Sequence, residues 1–301
     1  MDESRNDDMN QIIVINKPKG ITSQAVDTKL KKILHAKHIG HLGTLDPIAT
    51  GVLVVMVDGA TKLAPFLEND DKKYMATICF GLKTDTLDIT GQVVQQVSLP
   101  YVDVSRFDDL LKTFQGEITQ IPPIFSAIKV NGKKLYDYAR NGKDVAITAR
   151  KVNIYSIKRT SELWHDENCY YVNIEVFCSK GTYIRTLIDD LGTALQIPCC
   201  MSDLVRLQSG NFSLADSLSI EEVEKDNYKS FQMQDALNLP LVYINDAETL
   251  KRIHNGMKLS PSIFKERFSR VALIDNNGLV AIYQLEETPI PGYHPLRVWN
   301  E

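Results

Sequence analysis

Apolar residues recur along this chain at two different periods, which requires a fold built from both strands and helices. Residues 151–157 and 170–177 alternate apolar with polar side chains, as strands with one buried face do. After Gly181 the period lengthens to that of a helix. The apolar stripe of this helix contains Ile184, Leu187, Ile188, Leu191 and Leu195. Tyr183 and Arg185 are not part of the stripe, so we expect both at the first turn and away from the buried face.

The first part of the sequence predicts a strand, a helix, a loop and a second strand. Residues 11–15 form an apolar run typical of a strand, and a helix is predicted from Ser23. The apolar face of this helix contains Val26, Leu30, Ile33 and Leu34. Residues 40–51 are rich in glycine and predict a loop, which leads into an apolar strand over residues 51–57.

The middle of the chain predicts two further strands and one more helix. Residues 74–81 and 92–97 have the composition and pattern of strands. The helix that follows has its apolar positions at Phe107, Leu110, Leu111 and Phe114. Pro122 and Pro123 then indicate a loop, because proline cannot extend a central strand.

The C-terminal end predicts a small β-rich module. Two short apolar runs, residues 271–274 and 279–283, are separated by the turn sequence Asp275-Asn-Asn-Gly278. The stretch before the module, residues 216–240, is acidic and irregular. We therefore predict three parts, which are an acidic tail over residues 1–10, a main domain over residues 11–238 and a C-terminal module over residues 239–301.

The composition is that of a compact soluble protein, with 44% hydrophobic and 24% charged residues. The five cysteines are odd in number and lack a C-x-x-C spacing, which predicts reduced thiols. Residues 1–10 are polar and acidic, unlike a secretory signal, and the longest apolar run, residues 52–57, is too short to span a bilayer. We expect a cytoplasmic protein that is not bound to a membrane.

The formal net charge of −4 argues against nucleic-acid binding, because contacts to phosphate need lysine and arginine. Two stretches, residues 17–37 and 129–151, are nonetheless strongly basic, while most acidic residues lie elsewhere. One interpretation is an acidic protein with a basic face that binds nucleic acid. The alternative is that these stretches are solvated helix and loop surfaces.

Several common catalytic chemistries lack their motifs in this sequence. It has no phosphate-binding loop, dinucleotide fingerprint, H-E-x-x-H metal helix or G-x-S-x-G nucleophile motif. Ser126 and Lys129 have S-x-x-K spacing, but the motifs that accompany it in acylases do not occur. His35, His38 and His41 have no partnering cysteine, so we expect no metal site.

The glycine-rich loop over residues 40–51 places an aspartate in a setting suited to chemistry. Its glycines allow tight turns, and Pro47 restricts Asp46 to extended backbone. A carboxylate held in this way can point into a cleft. An Asp-Pro pair in such a loop is otherwise typical of an ordinary turn.

The full string, Gly40-His-Leu-Gly-Thr-Leu-Asp-Pro-Ile-Ala-Thr-Gly51, closely resembles the catalytic motif of the TruB family of pseudouridine synthases. Asp46 occupies the place of that family's catalytic aspartate. Other segments resemble the family in the same order along the chain. These segments are Asn16–Gly20, Lys73–Asp88, Pro122–Gly132, Ser179–Arg185 and Leu204–Gly210.

This resemblance implies a fold and an activity. The fold would be α+β, a catalytic domain with a mixed, mainly antiparallel sheet, followed by a small β-rich, PUA-like module that binds RNA. The activity would be isomerisation of one uridine in the T-arm of tRNA, flipped out of its stack, to pseudouridine. Isomerisation exchanges no electron or phosphate, so the missing cofactor and metal motifs fit this activity, and we expect a monomer that uses no cofactor and no metal. The alternatives are a synthase of different RNA specificity and a non-catalytic protein that binds or folds tRNA.

The resemblance also implies the site residues. Asp46 would act as the nucleophile or as the base that removes a sugar proton, and the sequence leaves this choice open. Arg185 would keep Asp46 ionised, because a buried carboxyl group otherwise tends to take up a proton. The residues implied in substrate binding are Lys17, His41, Tyr74, Tyr183 and Leu204.

Overall fold

The structure of the chain, a computed structural model, describes residues 10–67, 70–126, 129–130, 133–135, 138, 145–166, 168–287, 289 and 291–300. Most of the predicted acidic tail therefore lies outside the described residues. The same applies to part of the motif that begins at Pro122, and to Arg140 and Lys143 in the second basic stretch.

The elements follow the chain in an α+β order. Among the described residues, the α-helices with stated bounds are α1 Ser23–Ile33, α2 Ala64–Leu67, α3 Val104–Thr113, α4 Ile184–Leu195, α5 Ile220–Glu224 and α6 Ala247–His254. The strands in the first half are β1 Gln11–Lys17, β2 Ile39–Leu42, β3 Thr50–Val57, β4 Lys72–Phe80, β5 Leu82–Thr84, β6 Val93–Gln96, β7 Gly116–Gln120, β8 Lys129–Val130 and β9 Lys133–Lys134. Those in the second half are β10 Arg150–Arg159, β11 Trp164–His165, β12 Tyr170–Cys178, β13 Cys199–Ser209, β14 Phe212–Ser213, β15 Phe231–Gln232, β16 Leu241–Tyr243, β17 Arg270–Asp275, β18 Gly278–Glu286 and β19 Gly292–Val298.

One large sheet forms the centre of the main domain, in the order β15-β1-β3-β13-β4-β12-β10-β7, with β2 beside β3. Strand β13 joins its two halves, because it runs parallel to β3 and antiparallel to β4. The other pairings along this order are antiparallel. The predicted mixed, mainly antiparallel sheet of an α+β fold is therefore confirmed.

Helices cover this sheet with the apolar faces that their sequences predict. In α4, Ile184, Leu187, Ile188 and Leu191 are all buried and pack in one cluster with side chains of β4 and β12. In α1, Val26 and Leu30 are fully buried against β1 and β3. Burial of each such side chain stabilises the fold by roughly 1.5–3 kcal/mol, which holds both helices against the sheet.

The prediction that Arg185 lies away from the buried face of its helix is wrong, because Arg185 is only 6% exposed. Tyr183 is the residue before α4 rather than part of its first turn, and it is half-buried. Helical periodicity locates the face that packs on apolar side chains. It does not detect an arginine that is buried by pairing with carboxylate and carbonyl groups from other elements.

Strands β7, β11, β13 and β14 of the sheet are not predicted from the sequence. Strand β13 has register shifts on either side of Leu204, between Met201 and Asp203 and between Arg206 and Gln208, and these disturb its alternation of apolar and polar residues. Part of the predicted loop over residues 40–51 is strand β2, and the stretch predicted to be irregular contains α5 and β15.

The C-terminal part of the chain forms a separate four-stranded sheet in the order β16-β17-β18-β19. The predicted apolar runs correspond to β17 and β18. Trp299 connects this part to the main domain, because its indole Nε1 donates a hydrogen bond to the Gly59 carbonyl at 2.9 Å. Among the described residues, no helix is long and apolar enough to cross a membrane.

Candidate active site

A cleft of about 600 Å³ opens between the β2–β3 loop, the start of α4 and strands β4 and β13. Its size lies within the range of pockets that hold small ligands or a single nucleotide. Six of the seven residues predicted for the site line this one cleft. These residues are His41, Asp46, Tyr74, Tyr183, Arg185 and Leu204.

The loop that carries Asp46 is fixed on both sides of the aspartate. The Ser23 hydroxyl accepts a hydrogen bond from the Leu45 amide at 2.9 Å and donates to the Leu45 carbonyl at 3.1 Å. The Gly20 amide donates to the Pro47 carbonyl at 2.7 Å. Leu45 is also buried in the core. These contacts hold the Asp46 carboxylate in one position, as a reacting group requires.

Arg185 meets Asp46 in a two-pronged ion pair. Its Nε lies 2.9 Å from Oδ2, and its Nη2 donates to Oδ1 at 3.1 Å. Nη1 donates to the Thr86 carbonyl at 3.1 Å, and Nη2 also donates to the Phe125 carbonyl at 2.9 Å. Asp88 adds a second negative charge, with its Oδ2 3.8 Å from Nη1. Arg185 is therefore held in the orientation that the carboxylate needs.

The ionisation of Asp46 depends on opposing effects. Burial raises the pKa of Asp46 above its ordinary value, and the neighbouring Asp88 raises it further. The charge of Arg185, its hydrogen bond and the more distant Lys17 lower the pKa of Asp46. The cation at Arg185 is thus the main feature that favours a carboxylate in this buried setting.

Lys17 lies beneath the Asp46 loop and is absent from the described lining of the cleft. It is fully buried, and its Nζ donates to the carbonyls of Pro18 at 2.9 Å, Ile21 at 2.7 Å and Pro47 at 3.4 Å. Burial lowers the pKa of Lys17 to about 8, against the raising effect of Asp46. Its observed contacts support the loop rather than a ligand.

Two tyrosines form walls of the cleft. Tyr74 lies on β4 directly opposite Arg206 of β13, and its phenol interacts with the Arg206 guanidinium. Tyr183 is held through its backbone by Gln120, whose amide side chain accepts from the Tyr183 amide at 3.0 Å and donates to its carbonyl at 3.2 Å. Tyr74 is therefore placed by the sheet, and the backbone of Tyr183 is anchored to the edge strand β7.

His41 and Leu204 complete the predicted set. His41 belongs to β2, where it lies opposite Val55 of β3. Leu204 is a buried residue of β13, opposite Ala76 of β4, and its side chain reaches the cleft. Strands β2, β4 and β13 of one sheet thus present side chains to the same cavity.

The structure adds residues that the sequence did not single out. Asp88 faces Arg185, and Gln120 holds Tyr183. Arg206 is almost fully buried and donates from Nε to the Val52 carbonyl at 2.6 Å. Asp88 and Arg206 lie inside the segments that resemble the family, which is the signal that could have identified them.

Basic side chains are also concentrated at the cleft. In addition to Arg185, the lining contains Lys72, Arg150, Lys151, Lys180 and Arg206. A cavity with this positive lining and one ionisable carboxylate suits a ligand that carries phosphate groups. Within the described part of the chain, no group of three or more histidine, cysteine or acidic residues is arranged to hold a metal ion.

The chain is similar to known proteins along most of its length. Residues 31–184 match the family described as TruB family pseudouridylate synthase (N terminal domain). Residues 185–247 match the tRNA pseudouridylate synthase B C-terminal domain. The chain is 42% identical over 303 residues to proteins named tRNA pseudouridine synthase B from Staphylococcus aureus strains MSSA476 and JH9, and the match covers 97% of this chain and 99% of each relative.

Solved structures share the fold. A Cbf5-Nop10-Gar1 complex contains a chain that matches with a TM-score of 0.68 and 26% identity, over 97% of this chain and 84% of that one. The archaeal box H/ACA sRNP Nop10-Cbf5 complex matches with a TM-score of 0.68 and 22% identity, over 97% of this chain and 86% of the other. The second similarity shows the fold alone.

Proposed function

The chain belongs to the TruB family of pseudouridylate synthases, and on that basis we propose that it converts one uridine in the T-arm of tRNA to pseudouridine with the carboxylate of Asp46. Its family and relatives identify it as a tRNA pseudouridine synthase, an isomerase. We propose in addition that the target base is flipped out of its stack into the cleft, and that Asp46 carries the chemistry.

The reaction breaks the bond between N1 of uracil and C1′ of ribose and forms a bond from C5 to the same C1′. C5 loses its hydrogen and N1 gains one, so the product has the same composition as the substrate. No electron or phosphate is exchanged. The step needs a carboxylate against the sugar and base, acting as nucleophile on C1′ or as base toward a sugar proton.

The paired geometry of Asp46 and Arg185 is the observation that carries this proposal. The carboxylate lies 2.9 Å from a guanidinium nitrogen that orients it, inside a cleft of about 600 Å³. A carboxylate that is oriented in advance loses little further conformational entropy when the substrate binds. The pairing also lowers the pKa of Asp46 against the raising effect of burial, which favours the ionised carboxylate.

The aromatic walls favour a flipped base. Extruding a stacked base costs roughly a few kcal/mol, and stacking on an aromatic side chain returns about 1–3 kcal/mol per base. Tyr74 and Tyr183 both line the cleft that contains Asp46. We propose that these two rings hold the uracil and that Leu204 and His41 line the space around it. Lys17 would support the catalytic loop from below.

The T-arm would be recognised largely by its shape and its single-stranded loop. The basic side chains around the cleft suit the RNA backbone, and we propose that the C-terminal module over residues 239–301 binds RNA beside the main domain over residues 11–238. We propose further that the enzyme works in the cytoplasm as a monomer without cofactor or metal. Sedimentation of the purified protein, and turnover after treatment with a chelator, would test the last two points.

Unmodified tRNA labelled with tritium at uridine C5 provides a direct test. The wild type should release the label, and mapping of pseudouridine should locate the product in the T-arm. Asp46→Asn should bind the same tRNA with a Kd within about threefold of the wild type and release no label, because the amide cannot act as nucleophile or base. Release of label by Asp46→Asn at the wild-type rate would refute the role of Asp46.

The two alternatives differ in their expected results. If the wild-type protein binds tRNA but never isomerises a uridine in it, the result would support the alternative of a non-catalytic protein that binds or folds tRNA. Product that maps outside the T-arm, or that forms only in ribosomal RNA, would indicate a synthase of different RNA specificity. The complete Asp46 and Arg185 pair favours the catalytic interpretation over the binding protein.

A further inference from the structure

Asp27 is a buried acid in a position where the helix pattern calls for an apolar residue. It lies on α1 between the core residues Val26 and Leu30, and it is 2% exposed. Removing a carboxylate from water is costly unless it is paired and hydrogen-bonded. A helix that packs through an apolar face gains nothing in stability from an acid at this place, so the partner of Asp27 is informative.

That partner is His41, one of the residues that line the cleft. The Nδ1 atom of His41 lies 2.7 Å from Oδ2 of Asp27. The second oxygen of the carboxylate, Oδ1, is buried and has no hydrogen-bond partner among the described residues. Asp27 is therefore only half satisfied, and the contact that it makes is directed at His41.

The contact fixes both the orientation and the proton of the imidazole. A ring nitrogen that faces a carboxylate at this distance carries a hydrogen, so His41 donates from Nδ1. The opposite edge of the ring, which carries Nε2, is then turned away from the core. Nε2 lies 3.2 Å from the hydroxyl Oγ1 of Thr44. His41 and Thr44 both line the cleft, whereas Asp27 is absent from its described lining.

We infer that Asp27 is a positioning residue that sets the ring orientation and protonation of His41, so that Nε2 and the Thr44 hydroxyl form one polar contact for the bound nucleotide. Thr44 lies two residues before Asp46 in the same loop, which places this contact beside the reacting carboxylate. The inference rests on the proposed function only in taking a nucleotide as the ligand of the cleft.

The central experiment replaces Asp27 with leucine, alone and together with His41→Ala. Asp27→Leu should raise KM for tRNA about tenfold and leave kcat within about twofold, because it acts on binding through one hydrogen-bonded side chain. It should also raise the Tm, because a half-satisfied buried carboxylate gives way to an apolar side chain. In the His41→Ala background, Asp27→Leu should change KM no further.

Two controls separate positioning from a structural role. Val26→Ala, at a buried site on the same helix, should lower the Tm and leave KM unchanged when assayed well below that temperature. Asp27→Asn keeps an acceptor for Nδ1, so its KM should be close to that of the wild type and well below that of Asp27→Leu. The ¹⁵N shifts of His41 should show a protonated Nδ1 in the wild type and a change in Asp27→Leu.

The inference would be overturned if KM were unchanged in Asp27→Leu, whether or not kcat fell. It would also be overturned if the increases in KM caused by Asp27→Leu and His41→Ala were fully additive in the double variant. These outcomes differ from failure of the proposed function, in which the wild type itself does not isomerise tRNA. In that case the Kd for tRNA replaces KM as the measured quantity, and the ¹⁵N shifts still report the orientation of His41.

Discussion

The guanidinium of Arg185 and the carboxylate of Asp46 form two contacts side by side, an ion pair from Nε to Oδ2 at 2.9 Å and a hydrogen bond from Nη2 to Oδ1 at 3.1 Å. Such a fork constrains both the position and the tilt of the carboxylate, which a single contact from lysine would not do. The pH dependence of the enzyme should therefore depend on this pair.

Arg185→Met should lower kcat by about 100-fold or more, because it removes the donor that orients the reacting carboxylate. Arg185 lowers the pKa of Asp46, so its loss raises that pKa further above the ordinary value. Activity needs the ionised form, and the acid limb of the kcat profile should move to higher pH. The carbonyls of Thr86 and Phe125 also lose their donor, so the Tm should fall. A profile measured from residual turnover checks the direction, and an unchanged acid limb would contradict it.

Asp88→Asn should shift the same limb in the opposite direction. The charge of Asp88 raises the pKa of Asp46, so a neutral amide lowers that pKa and the acid limb should move to lower pH. Asparagine keeps an oxygen that can accept from the Thr90 amide, as Oδ1 of Asp88 does at 2.9 Å, which limits the effect on folding. The measurement is the kcat profile beside that of the wild type. A shift to higher pH would show that Asp88 acts mainly by holding Arg185.

Two substitutions at Tyr74 should distinguish the contribution of its ring to nucleotide binding from the contribution of its hydroxyl to stability. Tyr74→Leu removes the stacking surface and should weaken nucleotide binding by about 1–3 kcal/mol, or roughly five- to 150-fold in KM. Tyr74→Phe keeps the ring but leaves the buried Arg206 without the phenol, so it should lower stability by about 1 kcal/mol with a smaller change in KM. Kinetics and urea unfolding of both variants check this. Equal KM values for the two would argue against stacking.

Gly51→Ala should be strongly destabilising. Gly51 has a φ of +98°, and a Cβ there would lie 2.3 Å from the backbone oxygen of Arg206 on the adjoining strand. The strained φ and the overlap with backbone together should cost about 2–5 kcal/mol of unfolding free energy. Gly20→Ala is the control, because Gly20 has a φ of +90° with no atom within 4 Å and should lose only about 1–2 kcal/mol. Urea unfolding of both variants measures the difference, and equal losses would mean that the close approach of the strands is tolerated.

Much of the fold follows from local pattern. The apolar stripe of α4 and the alternation in β10 and β12 appear in the sequence because each repeats the period of its own element. The strand β13 does not, since its register shifts and its buried Arg206 interrupt that alternation. Its place between β3 and β4 depends on partners far away in the chain.

The candidate site also combines a part that local sequence predicts with a part that depends on distant segments. The loop around Asp46 is contiguous, so its residue types alone indicate a held carboxylate. The position of Arg185 beside it, 139 residues further along the chain, required the start of α4 to lie against that loop. Its burial was predicted wrongly, because an arginine is buried by the carboxylates and carbonyls around it, and these come from other elements.

Neighbouring residues are enough to predict the mixture of strands and helices, the loop that carries Asp46 and the resemblance to a family, because each of these features is local in the chain. The burial of Arg185, its contact with Asp88 and the pairing of Asp27 with His41 depend on the folded arrangement of distant segments. Charges that are distant along the chain affect one another only after folding brings them within a few ångströms in a poorly hydrated interior.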